Sequence, residues 1–563
     1  MNTSGSPPEA ELSRLRSLLN ARRLAELESE ANTLLQQYPG TGLVWEMLGI
    51  AQQMQGKNAL HAFQKTAELM PDDAGAQYNL AVLLKHVGRL NEALTCCHLA
   101  VSINPGYAEA YTVMGSILNE LGKPDEAEKF YRRALEIKPG HAEAHFNLSK
   151  TFFQKNEFDA ALRSYRDSVP GADPKKISVC SVETVKAFCK RTGSAYHLLS
   201  PPQAISFTKP EYIGEKFGVI EGTTQSSEFF VAELAKAKVL AKHSVVIMQG
   251  DIALYDDLVH PLGENVDLRF EKAIRIYSNR KLLIDQSAYN PVYAERGVNL
   301  TGASTGVYGH WMFEHLPKIK LVDALPQYKS FPVYVDVGMP PSHYEALELL
   351  TKGERKLVPV RPNTSVEFEK LVVAPSFTFF PFAQKPGSPV NMHVAPASTE
   401  ASLFLRERLL SVLGLTSDPF RKGEKGRRIF IGRKSKARSL INQDEIQEFL
   451  LKYDFEVIYP EEYSFAQQVK IFNESEYVFG PNGSAFTNVI FCRQGAKIVS
   501  FVQSYGSNFS SWPHVLKQLG YDHLYVAGNA IPSSAWHEHQ LDYSVPMPLV
   551  RQALDHFRVS KSN

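Results

Sequence analysis

Three stretches of this chain carry side chains whose types and spacing suit chemistry. In GVYGHWMFEHLPKI, residues 306–319, a helix starting at Gly309 sets His310 and Glu314 at i and i+4 on one face. A carboxylate accepting from one imidazole nitrogen leaves the other to act as a base. Such a pair could deprotonate a sugar or side-chain hydroxyl, and Pro317 then ends or kinks the helix. Spacing alone fits even more simply a packed core histidine beside a solvated glutamate. The basic run RKGEKGRRIFIGRKSKAR, residues 421–438, holds nine Lys or Arg against one Glu. Its ends read as a solvated loop. Arg433 differs, because it follows an apolar strand and so stands at a strand's carboxyl end, where a guanidinium fork can meet a diphosphate. In GPNGSAFTNVIF, residues 480–491, glycine-flanked turns after a strand let backbone N–H groups approach a phosphate, and a following helix N-terminus adds its dipole. A tight structural turn fits that stretch equally well.

The elements that must position these groups divide into a front third and a back two thirds. Prolines recur at Pro71, Pro105 and Pro139, a period of 34 residues. Leu80, Met114 and Leu148 keep the same step, as do the small Ala81, Gly115 and Ser149, then Ala93, Ala127 and Ala161, then Cys97, Tyr131 and Tyr165. That period with those columns is the signature of tetratricopeptide helix hairpins. Small residues let the two helices approach, a large one fills the gap to the next repeat, and proline closes the second helix. An earlier repeat is legible with a two-residue deletion, from Trp45, Leu48, Gly49, Ala59 and Phe63 to Pro71, and residues 10–40 read as a degenerate cap. The array is expected over 10–174, with a protein partner on its concave face or a bracing role as the alternatives. Asn79 and Asn147 share a helix position, but Val113 interrupts it, so both read as ordinary surface residues.

Beyond about residue 200, after a linker at 175–199, short β-rich runs replace the repeat. SVVIMQG, IRIYS and KLLIDQ are followed by FPVYVDV (331–337) and KLVVAPSF (370–377), which read as buried strands. The proline-rich stretch 381–398 reads as an inter-domain linker. After it strands alternate with helices of about ten residues, the pattern of a parallel sheet covered on both faces. Asn442 with Glu445, and Ser464 with Gln467, read as helix N-caps. The fold class expected is a helical solenoid followed by two Rossmann-like α/β units, at 200–395 and 396–550, with a cleft between them.

Composition removes other classes. Net charge is +1, which argues against a bulk nucleic-acid binder. The basic run has no aromatic ladder beside it. The first residues lack the apolar core of a secretory signal, and the longest uncharged apolar stretch, Leu371 to Gln384, is short and broken by Pro375 and Pro381. Five scattered cysteines with no CxxC pair fit a reducing compartment and no metal site. A cytoplasmic location, peripheral to the inner membrane face, is the expectation.

Taken in order, the motifs resemble glycosyltransferase family 61 over roughly residues 240–530. Gly309, His310, Trp311, Glu314, Leu316 and Pro317 match its "GHW" stretch, acidic residue and "LP". Arg433, Arg438 and Asn442 match a strand ending in arginine with a second arginine and an asparagine downstream. Pro460, Glu461, Ser464, Gln468 and Val469 match the next block, and Gly480, Asn482, Gly483, Ser484, Thr487, Asn488 and Phe491 match a "GxHGA" loop with "TN" and Phe. The family's histidine in that loop is Asn482 here, which can hydrogen-bond but cannot carry charge.

The resemblance implies a GT-B-type fold, a nucleotide-sugar donor held mainly by the C-terminal unit, and inversion at the anomeric carbon. On that basis His310 is the base with Glu314 orienting it, and Glu461 is the next candidate. Arg433, Arg438, Gly480, Asn482, Gly483, Ser484 and Asn488 are expected on the donor, with no cofactor and no metal. The acceptor is a glycan, a lipid-linked precursor or a protein. Two other classes stay open. Protein O-GlcNAc transferases also join such an array to two Rossmann-like units, and a decayed transferase domain would leave only a scaffold.

Overall fold

The 34-residue columns become paired helices because each small residue sits where a large one must pass. In the computed structural model a Cβ on Gly115 would lie 2.6 Å from the Tyr131 ring, and one on Gly49 would lie 3.1 Å from Phe63. Residues 6–207, 211–214, 222–226, 228–256, 268, 271–378, 398–417, 425–434, 439–503, 513–531 and 542–561 are described. The chain forms two compact units, Met1–Val179 with Ile276–Ser287, and Cys180–Arg275 with Ala288–Asn563.

In the first unit, helices run in antiparallel pairs from Glu9–Asn20 to Phe158–Ser168. The turn inside each pair needs a left-handed residue. Gly88 (φ 78°) and Gly122 (φ 75°) supply it, and in the last repeat Asn156 does so at φ 63°, at the same 34-residue step. Asn79 donates to Glu46 Oε1 at 3.3 Å, so its amide is spent inside the array.

The array's far end is closed by chain that comes a hundred residues later. Strands Ile274–Ser278 and Lys281–Asp285 form a hairpin whose turn residues Asn279 and Arg280 both have positive φ, the type I′ geometry that matches strand twist. Its Ile276 and Leu283 join Leu148, Phe152, Phe153 and Tyr165 in one buried cluster, together with Ile177. Tyr165 Oη donates to Asp285 Oδ2 at 2.9 Å within that cover. IRIYS and KLLIDQ are therefore strands as expected, but they belong to the repeat unit. The expected linker 175–199 is folded too, as strands Ile177–Glu183 and Tyr196–Ser200 around helix Val185–Thr192.

Among the described residues the second unit contains two large sheets, besides the two-stranded pair of Ala204–Phe207 with Gly222–Gln225. One runs Leu357–Val360, Val333–Asp336, Asn290–Asn299, Thr364–Val373, Phe229–Leu240, Val246–Met248 and Ile252–Leu254, and Ser181–Glu183 pairs alongside the last. It is mixed: the first four strands are parallel, whereas Thr364–Val373, Phe229–Leu240, Val246–Met248 and Ile252–Leu254 pair antiparallel. Short turns join Phe229–Leu240 to Val246–Met248 and Val246–Met248 to Ile252–Leu254, and a short turn cannot make the crossover that a parallel pair requires.

The other sheet is built from β1 (Arg427–Ile431), β2 (Phe455–Ile458), β3 (Ser475–Pro481), β4 (Lys497–Gln503) and β5 (Asp522–Ala530), all parallel in the order β2-β1-β3-β4-β5. Helix Gln443–Leu451 connects β1 to β2, and Phe465–Asn473 connects β2 to β3. Ser464 and Gln467 form the reciprocal capping box expected of them. Asn442 is an N-cap residue without a capping bond. Its amide instead donates to Val545 O at 2.8 Å and accepts from Val545 N–H at 3.0 Å, tying down the C-terminal segment.

The helices and turns between the two sheets share one core. Val298, Leu300, Trp311, Phe313 and Val333 from the first half are buried in the same cluster as Leu405, Ile429, Val469, Ile490 and Phe491 from the second. The halves on either side of residue 396 thus form a single compact unit. The expected linker at 381–397 lies outside the described residues.

Candidate active site

A doubly wound parallel sheet places its ligand beyond the strands' carboxyl ends, where neighbouring connections diverge to opposite faces. In the order β2-β1-β3 that point lies between β1 and β3. Arg433 follows β1, and Gly480–Ser484 closes β3, so both meet at the switch point.

The local backbone explains the glycines. A Cβ on Gly480 would lie 2.8 Å from Ile431 O, so no side chain fits between β1 and β3 there. A Cβ on Gly483 would lie 3.4 Å from Arg433 Nη1, which puts the guanidinium against the open face of the loop. Gln443 fixes the Arg433 backbone, accepting from its N–H at 2.8 Å and donating to its carbonyl at 3.3 Å. Burial draws the Arg433 guanidinium below its ordinary value. Among the described residues no carboxylate forms an ion pair with it, and Asp542 acts on its charge at longer range. Arg427 and Arg428 are spent elsewhere, on Glu456 and Glu474 and on the Tyr453 and Ser560 carbonyls. Arg438 lies outside the described residues.

Asn482 N–H donates to Phe501 O at 2.9 Å, extending the β3–β4 ladder, and Asn482 and Ser484 are half-buried. Ser484–Phe491 continues as a 3-10 helix rather than an α-helix. Asn488 is fully buried, and its side chain is used up inside the protein. It accepts from Tyr308 Oη at 2.5 Å and donates to Gln468 Oε1 at 2.8 Å. It therefore joins segments together and does not face a donor.

The His310 segment rests on this same loop. A Cβ on Gly309 would be 3.6 Å from Thr487 Cγ2 and 3.7 Å from Ser484 Oγ. The helix expected from Gly309 is irregular: Tyr308–His310 is α-helical, and Trp311–His315 is a π turn in which Leu316 N–H reaches Trp311 O at 2.8 Å. Pro317, which has no N–H to donate, caps the helix Lys318–Asp323 that follows. Such π turns recur at functional sites. The turn still brings His310 Nδ1 to 2.9 Å from Glu314 Oε1. The His310 side chain is 18% exposed and that of Glu314 10%, so the imidazole has a path to solvent while its partner is enclosed. Glu461 stands apart, exposed in the turn Pro460–Glu462 after β2, next to the Glu462–Lys434 ion pair.

Several residues that build the site carry no sequence motif. Asp336, fully buried at the end of strand Val333–Asp336, accepts from Lys242 N–H at 2.7 Å, Gly302 N–H at 3.0 Å and Thr305 Oγ1 at 2.8 Å. Burial pushes its carboxyl up, against those donors. Glu345 accepts from the Phe465 and Ala466 N–H groups, at 2.6 and 3.1 Å, and so caps a helix 120 residues away. Arg406 is buried and donates to the Ile490 and Cys492 carbonyls, both at 2.6 Å, closing the 3-10 helix at its far end. His343, 1% exposed between Tyr308 and Trp311, is held by burial at a pKa of about 4 and is neutral. Among the described residues no group of three or more His, Cys, Asp or Glu side chains could hold a metal ion, and no helix is long and apolar enough to cross a membrane.

Comparison with known proteins falls on both units. Residues 308–499 match the family model glycosyltransferase 61, and residues 72–140 and 107–173 match a tetratricopeptide repeat model. Similar solved structures cover the repeats. A MamA crystal structure is 20% identical over 28% of this chain and 92% of its own, with a TM-score of 0.26. YrrB, titled a TPR protein with an unusual peptide-binding site, is 22% identical over 29% of this chain and 86% of its own, with a TM-score of 0.26. Pseudomonas aeruginosa pilF is 15% identical over 29% of this chain and 76% of its own, with a TM-score of 0.27. Among curated proteins none matches this chain.

Proposed function

For a chain that carries a glycosyltransferase 61 domain behind tetratricopeptide repeats, we propose an inverting transfer of a hexosyl or pentosyl group from a nucleotide sugar to a hydroxyl. The observation that carries this reading is the Arg433 guanidinium against Gly483, on the same loop that seats the His310 turn. The donor diphosphate lies on Arg433 and the backbone of Gly480–Ser484, with Arg438 as a further contact. His310 takes the proton of the acceptor hydroxyl, whose oxygen attacks the anomeric carbon as the bond to the diphosphate oxygen breaks. Glu314 steadies the imidazolium formed. Protein groups neutralise the leaving diphosphate, in keeping with a sequence that has no DxD pair. Glu461 is the alternative base.

The unit fits a GT-B-type arrangement in which the doubly wound sheet is the donor side and the mixed sheet the acceptor side. The acceptor is a glycan, a lipid-linked precursor or a protein, handled in the cytoplasm at the inner membrane face. The concave face of the repeats docks a protein partner. Deleting residues 1–172 would also strip the cover from Leu283 and break the Tyr165–Asp285 bond. Substitutions on the concave surface therefore test docking more cleanly than truncation.

The decisive measurement is calorimetry of nucleoside diphosphate binding. Arg433→Ala removes a charge-assisted contact of about 1.5–3 kcal/mol, a loss of roughly 10- to 150-fold in affinity. Unchanged affinity would remove the diphosphate from this loop.

A further inference from the structure

The turn that carries His310 holds more polar groups than the His310–Glu314 pair uses, and they connect. Glu314 Oε1 faces His310 Nδ1, and its other oxygen, Oε2, accepts from Ser304 Oγ at 3.3 Å. Ser304 Oγ also lies 3.0 Å from His315 Nε2, and all of Ser304, Glu314 and His315 are buried. We infer that Ser304 and His315 are positioning residues that hold Glu314 against His310, an inference that rests on the reading of His310 as the base.

Proton counting fixes the arrangement. A serine hydroxyl has one proton, and the Glu314 carboxylate can only accept. Ser304 therefore gives its proton to Glu314 and must receive one from His315, which makes His315 the Nε2–H tautomer. Its Nδ1 is then a bare lone pair. That atom is buried with no hydrogen-bond partner, which costs less for an unused acceptor than for an orphaned N–H. Burial holds the His315 imidazole well below its ordinary pKa, so the ring stays neutral.

The ring is also locked in place. Trp311 stacks on it with centroids 6.1 Å apart, and a Cβ on Gly302 would lie 2.6 Å from His315 Cε1. Asp336 in turn grips Gly302 and Thr305, on either side of Ser304. The chain of contacts thus runs from the strand end at Asp336, through the 302–305 loop, to the carboxylate that orients the base. Glu314 faces His310 directly; Lys318, His310 and His343 act on the His315 ring, and Glu345 acts on Tyr308.

The test uses the full chain in two measurements. In the first, 15N-histidine spectra are assigned with His315→Gln, and His315 is expected as the neutral Nε2–H tautomer from about pH 5 to pH 8. An Nδ1–H tautomer or a charged ring at pH 7 overturns the inference, whatever the donor. In the second, hydrolysis of a panel of nucleotide sugars is followed by release of nucleoside diphosphate. Ser304→Ala and His315→Ala are expected to lower kcat about tenfold with KM unchanged. Ser304→Thr keeps the hydroxyl and should keep the rate, which a packing defect would not allow. Wild-type kcat in both alanine variants overturns the inference. His310→Ala separates the two levels. If it turns over normally, the base reading has failed; if it is inactive while Ser304→Ala is silent, only the positioning role has failed.

Discussion

In the repeat unit, Gly115 meets Tyr131 and Gly49 meets Phe63, contacts that close within a single helix hairpin. In the transferase unit, Tyr308 reaches Asn488 across 180 residues, Glu345 reaches Phe465 across 120, and Arg406 reaches Ile490 across 84. The first unit is packed by local apolar contacts repeated at a fixed step, whereas in the second single polar bridges join distant segments around a shared apolar core. A repeat array stabilises itself through nearest neighbours, so losing one contact weakens it by the energy of that contact. A polar bridge that places a reacting group can fail with little loss of fold and a large loss of rate.

The largest effect should therefore fall on chemistry in the transferase unit. His310→Ala is expected to lower turnover by about 100- to 10,000-fold, the range of general-base catalysis, while the melting temperature stays near that of the parent chain. A variant that melts much lower would show His310 to be a core residue, and the contrast between the units would lose its sharpest example. Next comes the hairpin that closes the array. Leu283 is fully buried against the last repeat, and Leu283→Ala should cost about 2–5 kcal/mol in denaturant unfolding of the full chain. A cost confined to surface levels, about 0.5 kcal/mol, would mean that the late hairpin does not brace the repeats.

The smallest effect concerns a buried charge. Asp256 accepts from the Val185 N–H at 2.8 Å, and burial pushes its carboxyl up from 3.8 to about 6. Its native pKa lies above the unfolded one, so its full contribution is present only below the unfolded value and is lost as pH rises through the native value. Asp256→Asn should accordingly stabilise the chain at pH 7.5 by about 1–3 kcal/mol and by no more than about 0.5 kcal/mol near pH 4. Thermal melts at the two pH values check this. An equal gain at both would assign the effect to something other than ionisation.

The same contrast governs what could be read in advance. The array was legible because its packing rule repeats, so four columns report the same contact several times over. The doubly wound sheet was legible because alternating strands and helices leave few topologies open. Arg433 and the Gly480–Ser484 loop stand out in the sequence because strand ends advertise themselves. Asn488 was misjudged as a donor contact: its motif is local, but its partners, Tyr308 and Gln468, are not. Asn442 does stand at the N-cap of helix Gln443–Leu451, as its spacing to Glu445 suggests, but the partner of its amide, Val545, is equally distant. Asp336, Glu345 and Arg406 left no local pattern at all.

By itself, then, the sequence determined the period of the repeats, the alternation of the second sheet, and the i, i+4 spacing of His310 and Glu314. All three depend on neighbours along the chain. Only the tertiary structure decided that residues 276–287 cover the last repeat, that the strands of 229–254 and 290–373 make a mixed sheet, and that Ser304 and His315 stand behind Glu314. Those are choices among partners far apart in sequence. They are settled by which buried donor must find which buried acceptor once the core has closed, a constraint that no local pattern of residues records.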